Sequence, residues 1–150
     1  MNTAWAAKKG FTIIELLVVM VVIGILVTIT VVSYSGLQQR SRDSERTSDI
    51  TQMKIALEKY HADKSGYPDI CGTPNACSVD KLAVVLAPYL KAIPHDPKNA
   101  INTSADYQYV ARSDDTGYAI RVQYEARAVC MVGQNVIASW WSPPTIPLCS

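Results

Sequence analysis

The four cysteines are the residues of this sequence that most directly imply covalent chemistry. They all lie downstream of a long apolar run, at Cys71, Cys77, Cys130 and Cys149. An even set favours disulfide bonds and an oxidising location. Three pairings are open, and proximity favours Cys71 with Cys77 and Cys130 with Cys149. No pair has the short spacing at which two thiolates share a zinc ion, and no Cys-x-x-Cys redox motif is present.

Candidates for acid–base or metal chemistry are few. His61 lies near a predicted helix end and His95 stands between prolines, so we expect solvent-exposed roles for both. Asp114 and Asp115 are candidate calcium ligands, although two adjacent carboxylates are more often a turn. The sequence contains no nucleophile-elbow, phosphate-loop or zinc-protease motif. It therefore predicts neither an enzyme nor a cofactor.

Glu15 is the one ionisable residue in the apolar run from Phe11 to Val32. A helix of this length, at about 1.5 Å per residue, spans roughly the hydrocarbon core of a bilayer. The run is too long for a strand, so residues 11–33 are predicted to be a transmembrane helix. Lys8 and Lys9 put its N-terminal end in the cytoplasm and the rest of the chain outside. A carboxylate at the bilayer centre costs about 2.5–3.5 kcal/mol, and less near one end, so Glu15 calls for an explanation.

The ten residues Lys8-Lys9-Gly10-Phe11-Thr12-Ile13-Ile14-Glu15-Leu16-Leu17 resemble the processing site of type IV pilins and of type II secretion pseudopilins. In that family a membrane-embedded prepilin peptidase cuts after the glycine and N-methylates the new terminal phenylalanine. The resemblance implies a leader of residues 1–10, cleavage between Gly10 and Phe11, and methylation of Phe11. Many members carry a proline where this chain has Val32, so the usual helix kink is expected to be shifted or absent.

Physical chemistry gives Glu15 a role after such a cleavage. The new amine of Phe11 lies about 6 Å from Glu15 along the helix axis. A neighbouring helix displaced along that axis places its own amine directly against the carboxylate. Desolvation offsets much of this attraction, so the pair is expected to set register more than to add stability. We therefore predict that Glu15 aligns incoming subunits during assembly.

The helical pattern continues beyond the apolar run and turns amphipathic over residues 34–65. An apolar stripe is formed by Ile50, Met53, Leu57 and Tyr60, and it is expected to pack on a sheet. Ser65-Gly66 and Pro68 predict the helix end close to Asp63.

Residues 66–150 are predicted to be a globular head with disulfides. A loop over residues 67–78 and a short helix over residues 79–91 precede the strands. Residues 107–111 and 118–125 predict a hairpin across the Asp114-Asp115-Thr116-Gly117 turn, because the second segment alternates with a period of two. Residues 128–131 and 135–141 are predicted to be further strands joined through Gly133. The expected fold class is α+β, a long N-terminal helix packed on a small antiparallel sheet, as in pilins.

Three functions remain open on the sequence. The first is a structural subunit of a type IV pilus, which starts as a single-pass precursor in the cytoplasmic membrane with its head outside and is then assembled into an extracellular helical filament of identical chains. The second is a pseudopilin of a type II secretion or DNA-uptake machine, and the third is a membrane-anchored binding domain. The first two imply prepilin peptidase and an assembly machinery as partners. The 14 basic and 13 acidic residues nearly cancel, so no nucleic-acid partner is inferred.

Overall fold

The computed structural model describes residues 10–72, 74–98, 104–137, 140 and 146–149, and for residues 30–35 the backbone only. The described elements are, in chain order, helix α1 (Ile13–Lys64), strand β1 (Cys77–Ser78), a 3-10 helix (Val79–Lys81), helix α2 (Leu82–Leu86), and strands β2 (Gln108–Ala111), β3 (Tyr118–Val122) and β4 (Cys130–Gln134). The predicted α+β class is confirmed.

Helix α1 is 52 residues long, and its C-terminal part carries the apolar stripe that the sequence predicts. Ile50, Met53 and Leu57 are buried in the core, and Tyr60 packs against its edge. Their spacing of three to four residues puts them on one side of the helix, which is the side that the sheet covers. The prediction of this stripe is confirmed.

The end of α1 lies one residue beyond Asp63, at Lys64. Ser65 follows with a positive φ of 62° and donates its N–H to the carbonyl of His61 at 2.8 Å. A residue in the left-handed region directly after the last helical residue is a common helix terminator. The helix therefore ends where the Ser65-Gly66 pair predicts it.

The described strands form one antiparallel sheet in the order β1-β2-β3-β4. The hairpin of β2 and β3 is confirmed, with Ala111 opposite Tyr118 and Gln108 opposite Arg121. Strand β3 ends at Val122, three residues before the predicted end.

Two predicted segments differ from the structure on the N-terminal side of the sheet. The predicted loop over residues 67–78 ends in the two-residue strand β1, which pairs with β2. The predicted helix over residues 79–91 is shorter, because only a 3-10 turn and α2 form and α2 ends at Leu86. Pro88 lacks the N–H that a longer helix needs in its interior.

Strand β4 also departs from the prediction, because Gly133 lies inside the strand and does not join two strands. A Cβ at Gly133 would stand 2.0 Å from the carbonyl oxygen of Tyr118, so the two strands approach too closely for any other residue. Asn135, with a φ of 48°, ends the strand. The predicted strand over residues 135–141 is wrong for the four residues of it that are described, and Trp141 lies outside the described residues.

Both faces of the sheet are covered by apolar side chains. The face toward α1 contributes Tyr109, Tyr118, Ile120 and Val122 to the main core. The opposite face buries a second cluster, made of Val110, Ala119 and Met131 with Val136, Trp140 and Ile146 packed against them. The C-terminal segment therefore serves as the cover of the outer face.

Two disulfide bonds tie this arrangement together. Cys71 bonds to Cys77 over 6 residues, and Cys130 bonds to Cys149 over 19 residues. Beside the second bond, Met131 donates its N–H to the carbonyl of Pro147 at 2.8 Å and accepts from the N–H of Cys149 at 2.9 Å. The described end of the chain thus pairs with β4, the edge strand, and satisfies backbone groups that an edge leaves open.

The chain divides into two compact units, residues 1–38 and residues 39–150. The first unit holds the N-terminal part of α1. The second unit holds the rest of α1 and the sheet. Among the described residues, no helix has both the length and the hydropathy of a membrane span. The transmembrane helix over residues 11–33 and the boundaries at residues 10, 33 and 65 stay predictions.

Candidate processing and assembly site

Gly10 and Phe11 lie in an exposed segment just before α1. Both are exposed, and the side chain of Phe11 is 84% accessible. A Cβ at Gly10 would meet no atom within 4 Å. The peptide bond between the two residues therefore lies in an exposed segment that is not crowded by other described residues. The rest of the predicted leader, residues 1–9, lies outside the described residues.

Thr12 and Glu15 form a reciprocal cap at the start of α1. The Glu15 carboxylate accepts the N–H and the hydroxyl of Thr12, each at 2.8 Å, and Thr12 Oγ1 accepts the N–H of Glu15 at 3.3 Å. The Thr12 carbonyl accepts the first helical bond, from the N–H of Leu16 at 3.3 Å. This is a capping box, in which the side chains at both ends of a four-residue segment satisfy free helix donors.

The capping box gives Glu15 a local role that the sequence analysis did not assign. Its signal was present in the sequence, because Thr12-x-x-Glu15 directly precedes a run of apolar residues. The cap holds the carboxylate at the helix N-terminus, where the helix dipole also favours a negative charge. Glu15 is therefore held against Thr12, the residue that follows Phe11, whose amine the predicted cleavage would free.

The first part of α1 presents an apolar surface that this chain leaves uncovered. Its large apolar side chains from Ile13 to Ile29 are between 49% and 84% accessible. Glu15 is the single ionisable residue in that stretch. A continuous exposed apolar surface of this kind marks contact with lipid or with other protein.

A second polar site anchors α1 to the head through Arg46, whose side chain is only 1% accessible. Arg46 donates to both carboxylate oxygens of Asp96, at 2.7 and 3.0 Å, and to Asp43 at 2.7 Å. It also reaches Glu125 at 3.2 Å. The buried guanidinium is therefore fully paired, and it joins α1 to the loops that contain Asp96 and Glu125.

Glu125 is part of this group, which we call the Arg46 cluster (Arg42, Asp43, Arg46, Asp96 and Glu125). Hydrogen bonds from Arg42 are the main reason why the pKa of Glu125 falls to about 2, and Lys98 and Arg46 add to the effect. Asp43 in turn accepts the backbone N–H of Glu125 at 2.9 Å. The loop after β3 is thereby fixed to α1.

Asp114 and Asp115, the candidate calcium ligands, form the turn between β2 and β3. One oxygen of Asp114 accepts the Thr116 hydroxyl at 2.7 Å, the Thr116 N–H at 3.1 Å and Arg112 Nε at 3.2 Å. Asp115 has a φ of 53°, and its carbonyl accepts the N–H of Tyr67 at 2.8 Å. One carboxylate oxygen of Asp114 and the backbone carbonyl of Asp115 are thus already bonded within the protein, and the calcium assignment stays a prediction.

His95 is partly buried, whereas its position between prolines predicted a solvent-exposed residue. Its side chain is 24% accessible and lies between the carboxylates of Asp80 and Asp106. These three residues are 15 and 11 positions apart in sequence, so no local pattern announces the contact.

Comparison with known proteins adds a decisive observation to this geometry. Residues 5–31 match the family described as "Prokaryotic N-terminal methylation motif". The type II secretion system core protein G of Vibrio cholerae is 30% identical over 119 residues, which cover 71% of this chain and 73% of that protein. The chain belongs to the type IV pilin and type II secretion pseudopilin family.

Further relatives connect this family member to both branches. The core protein G of Aeromonas hydrophila is 31% identical over 97 residues, or 60% of this chain and 67% of that protein. The type IV major pilin protein PilA of Myxococcus xanthus is 34% identical over 62 residues, which cover 41% of this chain and 28% of that protein. No solved structure matches the pilin-like chain.

Proposed function

We propose that this chain is the precursor of a filament subunit, cut between Gly10 and Phe11, N-methylated at Phe11 and assembled through the N-terminal part of α1 into a type IV pilus. One observation carries the proposal. The methylation motif of residues 5–31 includes the start of α1, whose large apolar side chains from Ile13 to Ile29 are at least 49% accessible. Such a surface is covered once many copies pack together.

The proposal includes the route by which the subunit reaches the filament. The precursor is held in the cytoplasmic membrane by residues 11–33, with the head outside, until the assembly machinery extracts it. Prepilin peptidase supplies both chemical steps, so the chain itself has no catalytic part. Its two disulfides suit a head that works in an oxidising, extracytoplasmic space.

A pseudopilus of a type II secretion system is the second candidate. It is favoured by the match to the core protein G of Vibrio cholerae, which extends over 119 residues and therefore into the head. The match to the pilin PilA covers 62 residues. Both candidates share processing and polymerisation. They differ in location, because a pilus extends outside the cell and a pseudopilus stays within the envelope.

The test is mass spectrometry of filaments sheared from cells that express the chain. A mature N-terminus at methylated Phe11 in the sheared fraction is the expected result. Processed protein that stays in the envelope fraction, with loss of a secreted protein on deletion, would assign the chain to the pseudopilus. An intact N-terminus at Met1 in assembled material would refute both candidates.

A further inference from the structure

Three polar side chains meet in the head where three chain segments converge. Asp80 belongs to the 3-10 helix, His95 to the loop before Asp96, and Asp106 to the segment that leads into β2. Nitrogen and oxygen atoms of the three side chains lie within 4.8 Å of one another. The group is separate from the Asp114-Asp115 turn and from the N-terminal processing site.

Asp106 determines which nitrogen of His95 carries the hydrogen. The Asp106 carboxylate is buried, and its Oδ1 accepts the N–H groups of Asp96 at 2.9 Å and Tyr107 at 2.8 Å. Its Oδ2 lies 2.8 Å from Nδ1 of His95. Because a carboxylate oxygen accepts, Nδ1 is the donor, and a neutral His95 has its free lone pair on Nε2.

That lone pair faces a second acceptor. Nε2 of His95 lies 3.2 Å from Oδ1 of Asp80, and the two side chains are 24% and 29% accessible. The other oxygen of Asp80 accepts the Ser78 hydroxyl at 3.0 Å, which orients the carboxylate. A nitrogen lone pair and a carboxylate oxygen at this distance repel each other unless a positive charge lies between them.

The distance between these two atoms suits a metal ion. Two ligands that each lie about 2.0–2.2 Å from a tetrahedral zinc ion are roughly 3.3 Å apart. A mixed nitrogen and oxygen pair selects a zinc-like ion over calcium or magnesium, which take oxygen ligands. A carboxylate on the far nitrogen of a ligating histidine is the usual second partner in zinc sites. Asp106 occupies that place.

We propose that His95 Nε2 and Asp80 Oδ1 bind a zinc-class divalent cation, with Asp106 and Ser78 orienting the two ligands and water completing the coordination from the exposed side. The ion joins the 3-10 helix to the loop before Asp96. Since Asp96 is itself bonded to Arg46, the cation braces the same loop that the Arg46 cluster fixes to α1. This site lies in the head and does not depend on the kind of filament.

The test is isothermal titration of zinc chloride into the full chain, purified in detergent and stripped with a chelator. We expect one zinc ion per chain and a higher melting temperature with zinc, while calcium chloride produces neither. His95→Gln and Asp80→Asn should each weaken zinc binding by at least roughly tenfold, the scale of change known for zinc-site residues. His61→Gln is the matched control, because His61 packs against the Tyr67 ring away from this group, and it should bind zinc as the wild type does.

Three results would overturn the assignment. The first is a wild-type chain that binds no zinc, and the second is unchanged binding by both His95→Gln and Asp80→Asn. Circular dichroism checks that each variant is folded, and Asp80→Asn is the milder change because Asp80 is partly exposed. The third is a chain that is stabilised by acid but not by zinc, and in which His95→Gln removes the stabilisation by acid. A proton and not a metal ion would then join His95 to Asp80.

Discussion

At the scale of single residues, Glu15 combines two tasks that substitution can separate. Its carboxylate caps α1 through Thr12, and we propose that its charge meets the amine of a neighbouring Phe11. Glutamine keeps a capping-box side chain but has no charge. Glu15→Gln therefore tests the charge alone, and Thr12→Ala tests the cap alone.

We expect Glu15→Gln to slow filament assembly by roughly tenfold or more, equivalent to about 1.4 kcal/mol of lost alignment energy. Thr12→Ala should assemble nearly as the wild type does, because the helix start is also favoured by packing in the filament. Quantitative immunoblots of sheared filaments over time measure both rates. If the glutamine variant keeps pace with wild type while Thr12→Ala fails, the cap and not the charge is what Glu15 contributes.

At the scale of elements, Arg46 decides how firmly α1 is attached to the loops of the head. Arg46→Ala leaves the carboxylate of Asp96 buried without its partner, which costs about 3–5 kcal/mol in comparable sites. Arg42→Ala is the matched control, since its side chain is 28% accessible and water can replace it at Glu125. Urea unfolding of the two variants in detergent should show a clearly larger loss for Arg46→Ala. Equal losses would contradict this account of the buried pair.

Acid should weaken the same attachment through Glu125. Its pKa is about 2 in the folded chain, against an ordinary value of 4.5. A carboxylate with a lowered folded pKa stabilises fully above the unfolded value, and that stability is lost as pH falls from about 4.5 through about 2. Burial raises the pKa of Asp49, which acts in the opposite direction, so wild type is best compared with Glu125→Gln. The variant should lose less stability than wild type between pH 5 and pH 2, approximate limits set by these two pKa values, and parallel curves would exclude Glu125 as a cause.

The elements also show what sequence reasoning can reach. Local patterns were enough for the stripe of Ile50, Met53 and Leu57 and for the hairpin, because each depends on a regular period and a nearby turn. Strand β1 was missed because two residues carry no period. The shift of β4 followed from a close approach of Gly133 to Tyr118 across the sheet, which only the paired strands reveal.

The polar sites differ in the same way, because some depend on the local sequence and others on the tertiary fold. The cap of Thr12 and Glu15 spans three residues and has a readable signature. Arg46 and Asp96 are 50 residues apart, and the partners of His95 come from separate segments. Such contacts arise from the tertiary fold, and a charged residue in a helix gives no sign of which distant carboxylate it will meet.

At the scale of the whole molecule, we expect the two compact units to carry tasks that fail independently. The first unit, residues 1–38, holds the processing motif, and the second, residues 39–150, holds both disulfides and the core. Under the proposed function, we expect a peptidase that acts on Gly10 and Phe11 to require the first unit alone. A damaged head should therefore leave processing intact while it reduces the number of filaments.

Paired serine substitutions at the two disulfides test this separation. Replacing Cys130 and Cys149 opens a loop of 19 residues and frees the segment that covers the outer face of the sheet, a loss of about 3 kcal/mol from loop entropy alone. Replacing Cys71 and Cys77 opens only 6 residues, for which the same relation gives about 2 kcal/mol. Filament yield should fall in that order, while mass spectrometry still finds methylated Phe11 in membranes of both variants. Unprocessed protein in either variant would show that the head is needed before cleavage, and the two units would then not act independently.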